Sequence, residues 1–342
     1  MPEVESNTAV AARADARLAF ARSAAGNARV TLEEVSGAAG APGCWRIRGP
    51  QRAAIVMDAP PGSGDFDVWI DVDARLRAAG LNAPEVLAAD RAHGFLLLSD
   101  LGTRPYVSEL NDANADALYA DAMDALLTMQ TRVDPHGLPR HDEPALVREL
   151  ELLPAWFLQR HLGISIACEE WDVIEVAFRL LVDNAQRQPQ TFMHRGYHSR
   201  NLMRVAIHNP GILHLQDAAL GPITYDLVSL LRDCWIGWDD TRVRDWAESY
   251  RQRLLDAGAI DPRIDAPRWQ HWFDLTGLQQ HLKALGIFCR SWYRDGKHDG
   301  LGGLPRAWGY VRKVAAGYPE LRDFLALLES WTEGRDLVEP AA

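Results

Sequence analysis

A chain of 342 residues, 47% hydrophobic and 24% charged, has an ordinary globular composition with room for one or two domains. Its net charge of -11 argues against a nucleic-acid binder, which would carry a basic face, and is compatible with cationic ligands. Cys44, Cys168, Cys234 and Cys289 lack metal-ligand spacing and read as reduced thiols. With no basic-then-apolar leader and no apolar run of membrane-spanning length, the expectation is a cytoplasmic protein with no membrane partner.

In chain order, Asn7–Ala25 reads as a helix with Val10, Ala14, Leu18 and Ala21 or Ala25 on one face. Thr31–Val35 reads as a strand. Ser36–Gly43 follows, a loop of small residues that is either solvated or a flap whose backbone approaches phosphates, with Gly37, Gly40 and Gly43 as the close-approach positions. It lacks the Gly-Lys-Ser/Thr of a P-loop. Cys44–Arg48 and Ala53–Met57 read as strands joined at Gly49-Pro50. Asp67–Ala79 reads as a helix stopped by Gly80, and Glu85–Ala89 and Gly94–Ser99 as short strands. This order predicts a small antiparallel sheet with one helix, ending near Asp100-Leu101-Gly102. From Val107 the chain reads as almost entirely helical, interrupted by paired strands over Phe192–Asp217. The class expected is α+β.

The chemistry concentrates in Phe192-Met193-His194-Arg195-Gly196-Tyr197-His198-Ser199-Arg200-Asn201. A histidine, a position for a base, and an asparagine five residues further on have the spacing of a kinase catalytic loop. Asp217 follows at the end of the apolar run Gly211–Gln216, where a strand end would fix it beside the loop. Asn201 and Asp217 together offer two hard oxygen ligands suited to Mg²⁺ on a triphosphate. The base position holds Gly196, which cannot accept a proton. His194 is expected to shape the loop rather than transfer protons. His198 and Arg200 are either solvated or contact substrate or phosphate. Asp226, ahead of an apolar helix, reads as its N-cap, as a brace for the loop, or as both.

These residues resemble the aminoglycoside phosphotransferase family, bacterial relatives of the protein kinases. Met57-Asp58-Ala59-Pro60-Pro61, Gly94–Gly102, Gln216-Asp217-Ala218, Tyr225–Asp233, Gly277–Lys283, Gly286-Ile287-Phe288 and Tyr293–Lys297 are similar to one branch of it. That branch comprises the anomeric sugar kinases acting on N-acetylmuramate and N-acetylglucosamine in bacterial cell-wall recycling. The resemblance implies a bilobal protein-kinase-like fold. Residues 1–100 would form a nucleotide-binding N-lobe, and residues 101–342 a mostly helical C-lobe with the catalytic loop, metal site and sugar site.

The cofactors implied are ATP and Mg²⁺, and the partner is a small amino sugar. Ser99, Asp100 and Leu101 would contact adenine through the backbone, and Gly37–Gly43 would cover the phosphates. Arg290, Tyr293 and Arg294 in the helical part, with Trp235 beside them, are candidates for the sugar.

Two departures from the family pattern stand out. The third strand carries no lysine, and none occurs before Lys283; Arg46 or Arg48 is the candidate replacement charge. Gly196 stands where the family keeps an aspartate, which predicts binding retained and turnover reduced. An aminoglycoside kinase and a pseudokinase that holds nucleotide without transfer are the competing readings.

Overall fold

The computed structural model describes residues 2–35, 43–49, 53–59, 65–297 and 300–340. By internal contacts the chain forms two compact units, Met1–Ala122 with Arg200–Asp217, and Met123–Ser199 with Ala218–Ala342. The first therefore runs past the boundary expected near Asp100 and recovers a later segment. The reason is backbone pairing: Asn82 bridges Gly211 and Pro105 bridges Met203, tying 200–217 to the first unit.

In the first unit, α1 (Pro2–Ala24) precedes β1 (Thr31–Glu34), β2 (Gly43–Arg48) and β3 (Ala54–Asp58). Then come α2 (Asp65–Ala78), β4 (Val86–Asp90), β5 (Phe95–Ser99) and α3 (Tyr106–Glu109). The sheet is antiparallel in the order β1-β2-β3-β5-β4. Its inner strands, Ala-Ile-Val-Met-Asp and Phe-Leu-Leu-Leu-Ser, are near-continuous apolar runs because they are buried across their length.

The helix α1 follows its expected face in part and is anchored by two arginines besides. Val10 is 66% exposed, whereas Ala21 is fully buried. Arg13 and Arg17 both donate to the buried carboxylate of Asp58 at the end of β3, and Arg17 lies over the Trp45 ring. Within the first unit the short strands β7 (Leu202–Met203) and β8 (Gly211–Ile212) pair with each other.

α4 (Ala115–Arg132) carries the chain into the second unit. There α5 (Glu143–Leu150), a π-helix at Leu153–His161 and α6 (Cys168–Gln186) lead to β6 (Gln190–Met193). After β9 (Ala219–Pro222), which pairs with β6, come α7 (Tyr225–Leu231), α8 (Asp240–Asp256), α9 (Ala266–Tyr293), α10 (Leu304–Ala316) and α11 (Arg322–Thr332). The long α9 is the axis of this unit. Asp265 caps it by accepting from the Arg268 N–H, and Pro267 sits in its first turn. Leu275, Leu278, Leu282, Leu285 and Cys289, at helical spacing, enter one continuous core with α5, α6, α10 and α11.

Candidate active site

The first unit contains a cleft of about 540 Å³, a size that suits a small ligand. Its apolar walls come from Ile55 and Met57 of the sheet, Leu98 of β5, and Met203 and Leu213 of the returned segment. Arg200, Asn201 and His214 also line it, which brings the loop's last two predicted residues to the same cleft as Ser99, Asp100 and Leu101.

The hinge is partly committed to its own structure. The Ser99 N–H donates to Glu85 O at 2.9 Å, and the Ser99 hydroxyl accepts from the Glu85 N–H at 2.8 Å. The Ser99 N–H is therefore already engaged within the first unit. The Leu101 N–H has no acceptor among the described residues. Asp100 turns its carboxylate inward, accepting the Gly102 N–H and both donors of an Arg46 fork at 2.6 and 3.1 Å. Arg46 also reaches Gly102 O at 2.8 Å, so this guanidinium clasps the hinge. Its pKa rises, chiefly through the hydrogen bond to Asp100. Arg48 is paired with Glu33, and both side chains are more than half exposed. Of the two candidate replacements for the missing lysine, Arg46 lines the cleft and Arg48 is held at the outer strands.

Gly37 and Gly40 lie outside the described residues. Gly43 opens β2, where a Cβ would collide with the Trp45 ring. Its smallness is therefore explained by packing within its own strand.

Asn201 is buried, and its backbone oxygen accepts from the Leu213 N–H at 2.9 Å. Asp217 does not end a strand as expected. The ladder stops at Ile212, and His214 bends the chain with φ 68°. Asp217 is placed instead by the His214 imidazole, whose Nε2 lies 2.7 Å from its carboxylate, with 49% of the aspartate side chain exposed. No group of three or more His, Cys, Asp or Glu suited to a metal occurs among the described residues. An amide oxygen and one open carboxylate fit Mg²⁺ that takes its other ligands from phosphate and water, and do not fit an all-protein cage.

The loop's earlier residues belong to the second unit, where carboxylates hold the backbone. Asp226 is fully buried and accepts the His194 N–H at 2.6 Å and the Arg195 N–H at 3.0 Å. It is not the helix N-cap: Thr224 precedes the helix and Asp226 lies in its first turn. Burial pushes its pKa up to about 7 against the pull of those two N–H groups. Seven residues on, Asp233 accepts the Ser199 N–H at 3.0 Å and the Ser199 hydroxyl. The sequence reading missed Asp233. Its signal was the spacing, two carboxylates bracketing one short apolar helix.

His194 is fully buried and its Nδ1 accepts the Gly196 N–H at 3.2 Å, so the imidazole shapes the turn. The left-handed residue is Arg195, with φ 66°, and Gly196 is not among the residues with positive φ. The φ at 196 thus does not call for glycine. His198 donates its N–H to Gly196 O at 2.9 Å.

Arg290, Tyr293 and Arg294 are grouped at the end of α9. The Tyr293 hydroxyl lies 3.0 Å from His161 Nδ1, and Arg160 stacks on its ring. Arg294 pairs with Asp295, and burial lowers the Arg290 pKa, with the neighbouring Arg294 adding to it. Trp235 packs edge-on against Phe288 beside the core.

A sheet with a hinge-lined cleft, followed by a loop braced from a short helix, is the arrangement of a protein-kinase-like phosphotransferase. The chain belongs to the phosphotransferase enzyme family, whose model matches residues 31–268. It is 41% identical over 296 residues to N-acetylmuramate/N-acetylglucosamine kinase of Pseudomonas aeruginosa, covering 85% of this chain and 86% of that protein. To the protein of the same name from Pseudomonas putida it is 38% identical over 290 residues, covering 85% of each. In fold it is similar to choline kinase LicA from Streptococcus pneumoniae at 12% identity, with TM-score 0.60 over 85% of this chain and 95% of that one.

Proposed function

We propose that this chain transfers the γ-phosphoryl group of ATP, with Mg²⁺, to the anomeric hydroxyl of N-acetylmuramate or N-acetylglucosamine, in cytoplasmic recycling of cell-wall sugars. The observation that carries the reading is 41% identity, over 85% of the chain, to a kinase named for both sugars. The nucleotide is assigned to the first unit. Its apolar cleft walls take the purine, and the Leu101 N–H meets the purine edge. Asn201 and Asp217 would hold Mg²⁺, which would supply charge neutralisation on the phosphates. The sugar is assigned to the second unit, with His198, Arg290, Tyr293 and Arg294 as its candidate contacts.

Gly196 sets the rate. A base at that position would orient the attacking hydroxyl and take its proton, assistance worth about 10²–10⁴-fold. Two facts keep the reaction open without it. The loose transition state leaves most catalysis to positioning and charge. An anomeric hydroxyl is also more acidic than an ordinary alcohol. The same glycine favours a second reading, a module that holds nucleotide and sugar without transfer.

Incubation with ATP, Mg²⁺ and each sugar, followed by phosphorus NMR, separates the two. A sugar 1-phosphate is expected, formed slowly. No product from either this chain or its Gly196→Asp variant would remove the kinase reading. Binding of an aminoglycoside without either sugar, by calorimetry, would redirect the substrate class.

A further inference from the structure

We infer that Glu149 and Lys283 are positioning residues for the catalytic loop, acting through the side chain of Arg195. This rests on the kinase reading for its consequence in turnover, though not for its geometry. Arg195 holds the left-handed turn of the loop, a conformation that an arginine does not favour by itself. Something outside the loop must keep it there. Asp226 holds the Arg195 N–H, and the guanidinium reaches in the other direction to Glu149 at 2.5 Å.

Glu149, on α5, is 7% exposed. It also receives the Lys283 ammonium from α9 at 2.7 Å, and Lys283 donates in turn to the Tyr225 hydroxyl on α7 at 3.0 Å. One buried carboxylate thus ties three helices to the residue immediately before the base position. Burial alone would raise the Glu149 pKa, but Lys283, His141 and Arg195 together hold it down to about 2. Burial likewise opposes the charge on Lys283, and Glu149 outweighs it. Glu149, Arg195 and Lys283 are therefore ionised at neutral pH, and burial makes each contact directional and costly to lose.

A second observation shows that the approach is built in. Gly286 lies three residues beyond Lys283, on the same side of α9. A Cβ there would collide with the backbone carbonyl of Leu152, just past α5. The glycine lets α9 lie against the end of α5, which brings Lys283 within reach of Glu149. Lys283 is also the first lysine in the chain, placed where an ammonium on a long flexible stem can serve two acceptors at once. Position 196 has no side chain to hold, and its backbone is held within the loop by His194 and His198, so Arg195 is the neighbouring residue through which the helices reach this turn.

The test uses Glu149→Gln, Lys283→Met, their double variant, Lys283→Arg and Gly286→Ala, each made in the full chain and in its Gly196→Asp form. Hydrogen exchange of the segment 192–199 is followed beside steady-state kinetics. In Lys283→Met and Glu149→Gln the loop amides are expected to exchange roughly tenfold faster or more, while the hinge at 99–102 is unaffected. The kcat should fall by about tenfold with KM for ATP within about twofold. The double variant should be no worse than the singles, because both act through Arg195. Lys283→Arg should restore loop protection at least in part.

Unchanged loop exchange in a folded variant would overturn the inference. So would faster exchange spread evenly over the helices, or effects that multiply in the double variant. Should Lys283→Met not fold, Glu149→Gln carries the same expectation, and an unchanged loop there counts equally against it. Because exchange needs no turnover, it decides the positioning role even if no sugar phosphate is formed.

Discussion

In the first unit, Asn201 is held through its backbone oxygen, and Asp217 by an imidazole with half of its own side chain in water. In the second unit, the segment 194–199 is held by three buried carboxylates, Asp226, Asp233 and Glu149. The Asp217 contact is inexpensive to break, because water replaces the lost partner. The second unit's arrangement is costly to break, because removing a buried carboxylate strands its N–H and guanidinium donors. The difference fits the proposed division of labour. The carboxylate assigned to a metal that comes and goes stays half in water, while the loop proposed to present the acceptor is fixed from within.

Four measurements would sharpen or break that contrast. The largest effect is expected at Gly196, which none of the three carboxylates touches through a side chain. Gly196→Asp should raise kcat by about 10²–10⁴-fold. Its backbone angle permits the change, so equal rates would show that position 196 does not hold the base.

Next, Asp226→Ala should cost about 2–5 kcal/mol of folding stability in urea titrations, since two buried N–H groups lose their acceptor. Asp217→Ala should cost below about 1 kcal/mol while abolishing Mg²⁺-dependent turnover. Comparable losses of stability would erase the contrast.

The third concerns pH. Burial pushes the Asp73 carboxyl in α2 of the first unit up to about 7 from 3.8, and its Oδ1 has no partner among the described residues. The folded state then keeps a proton that the unfolded chain has lost. Its contribution is fully present below pH 4 and is lost as pH rises towards 7. Asp73→Asn should therefore gain on the order of 2 kcal/mol relative to the parent at pH 8 and nothing at pH 4. Glu149 in the second unit has the opposite sign. Held near 2 against an ordinary 4.5, it stabilises above pH 4.5, and the contribution fades as pH falls towards 2. Stability curves for Asp73→Asn and Glu149→Gln should approach the parent at low pH and diverge from it at pH 8 in opposite directions, Asp73→Asn upward and Glu149→Gln downward.

The smallest effect is expected at Arg48. Its pair with Glu33 is exposed on both sides, so Arg48→Ala should stay within about 0.5 kcal/mol in thermal melts.

Much of the sheet could be read from local pattern. The strands at Thr31, Cys44, Ala54, Val86 and Phe95 follow from short apolar runs between turn residues, and such signals are local. The loop's identity was equally local, because His194, Gly196 and Asn201 lie within one short stretch. What holds those residues was not local. Val10 looks like a buried position by periodicity and is exposed, because α1 is anchored by two arginines on Asp58, more than forty residues away. Asp217 follows an apolar run and yet ends no strand, because His214 turns the chain before it.

The sequence by itself determined the class of chemistry, the family, and the presence of glycine at position 196. Each depends on residue identity at fixed short spacing, which folding does not alter. Only the tertiary structure decided which donors are already spent. It engages Ser99 with Glu85, gives Arg46 to Asp100, and brings Glu149 and Lys283, 134 residues apart, onto the loop arginine. Those outcomes depend on burial, which removes water as a competitor and makes the surviving partner the one that counts.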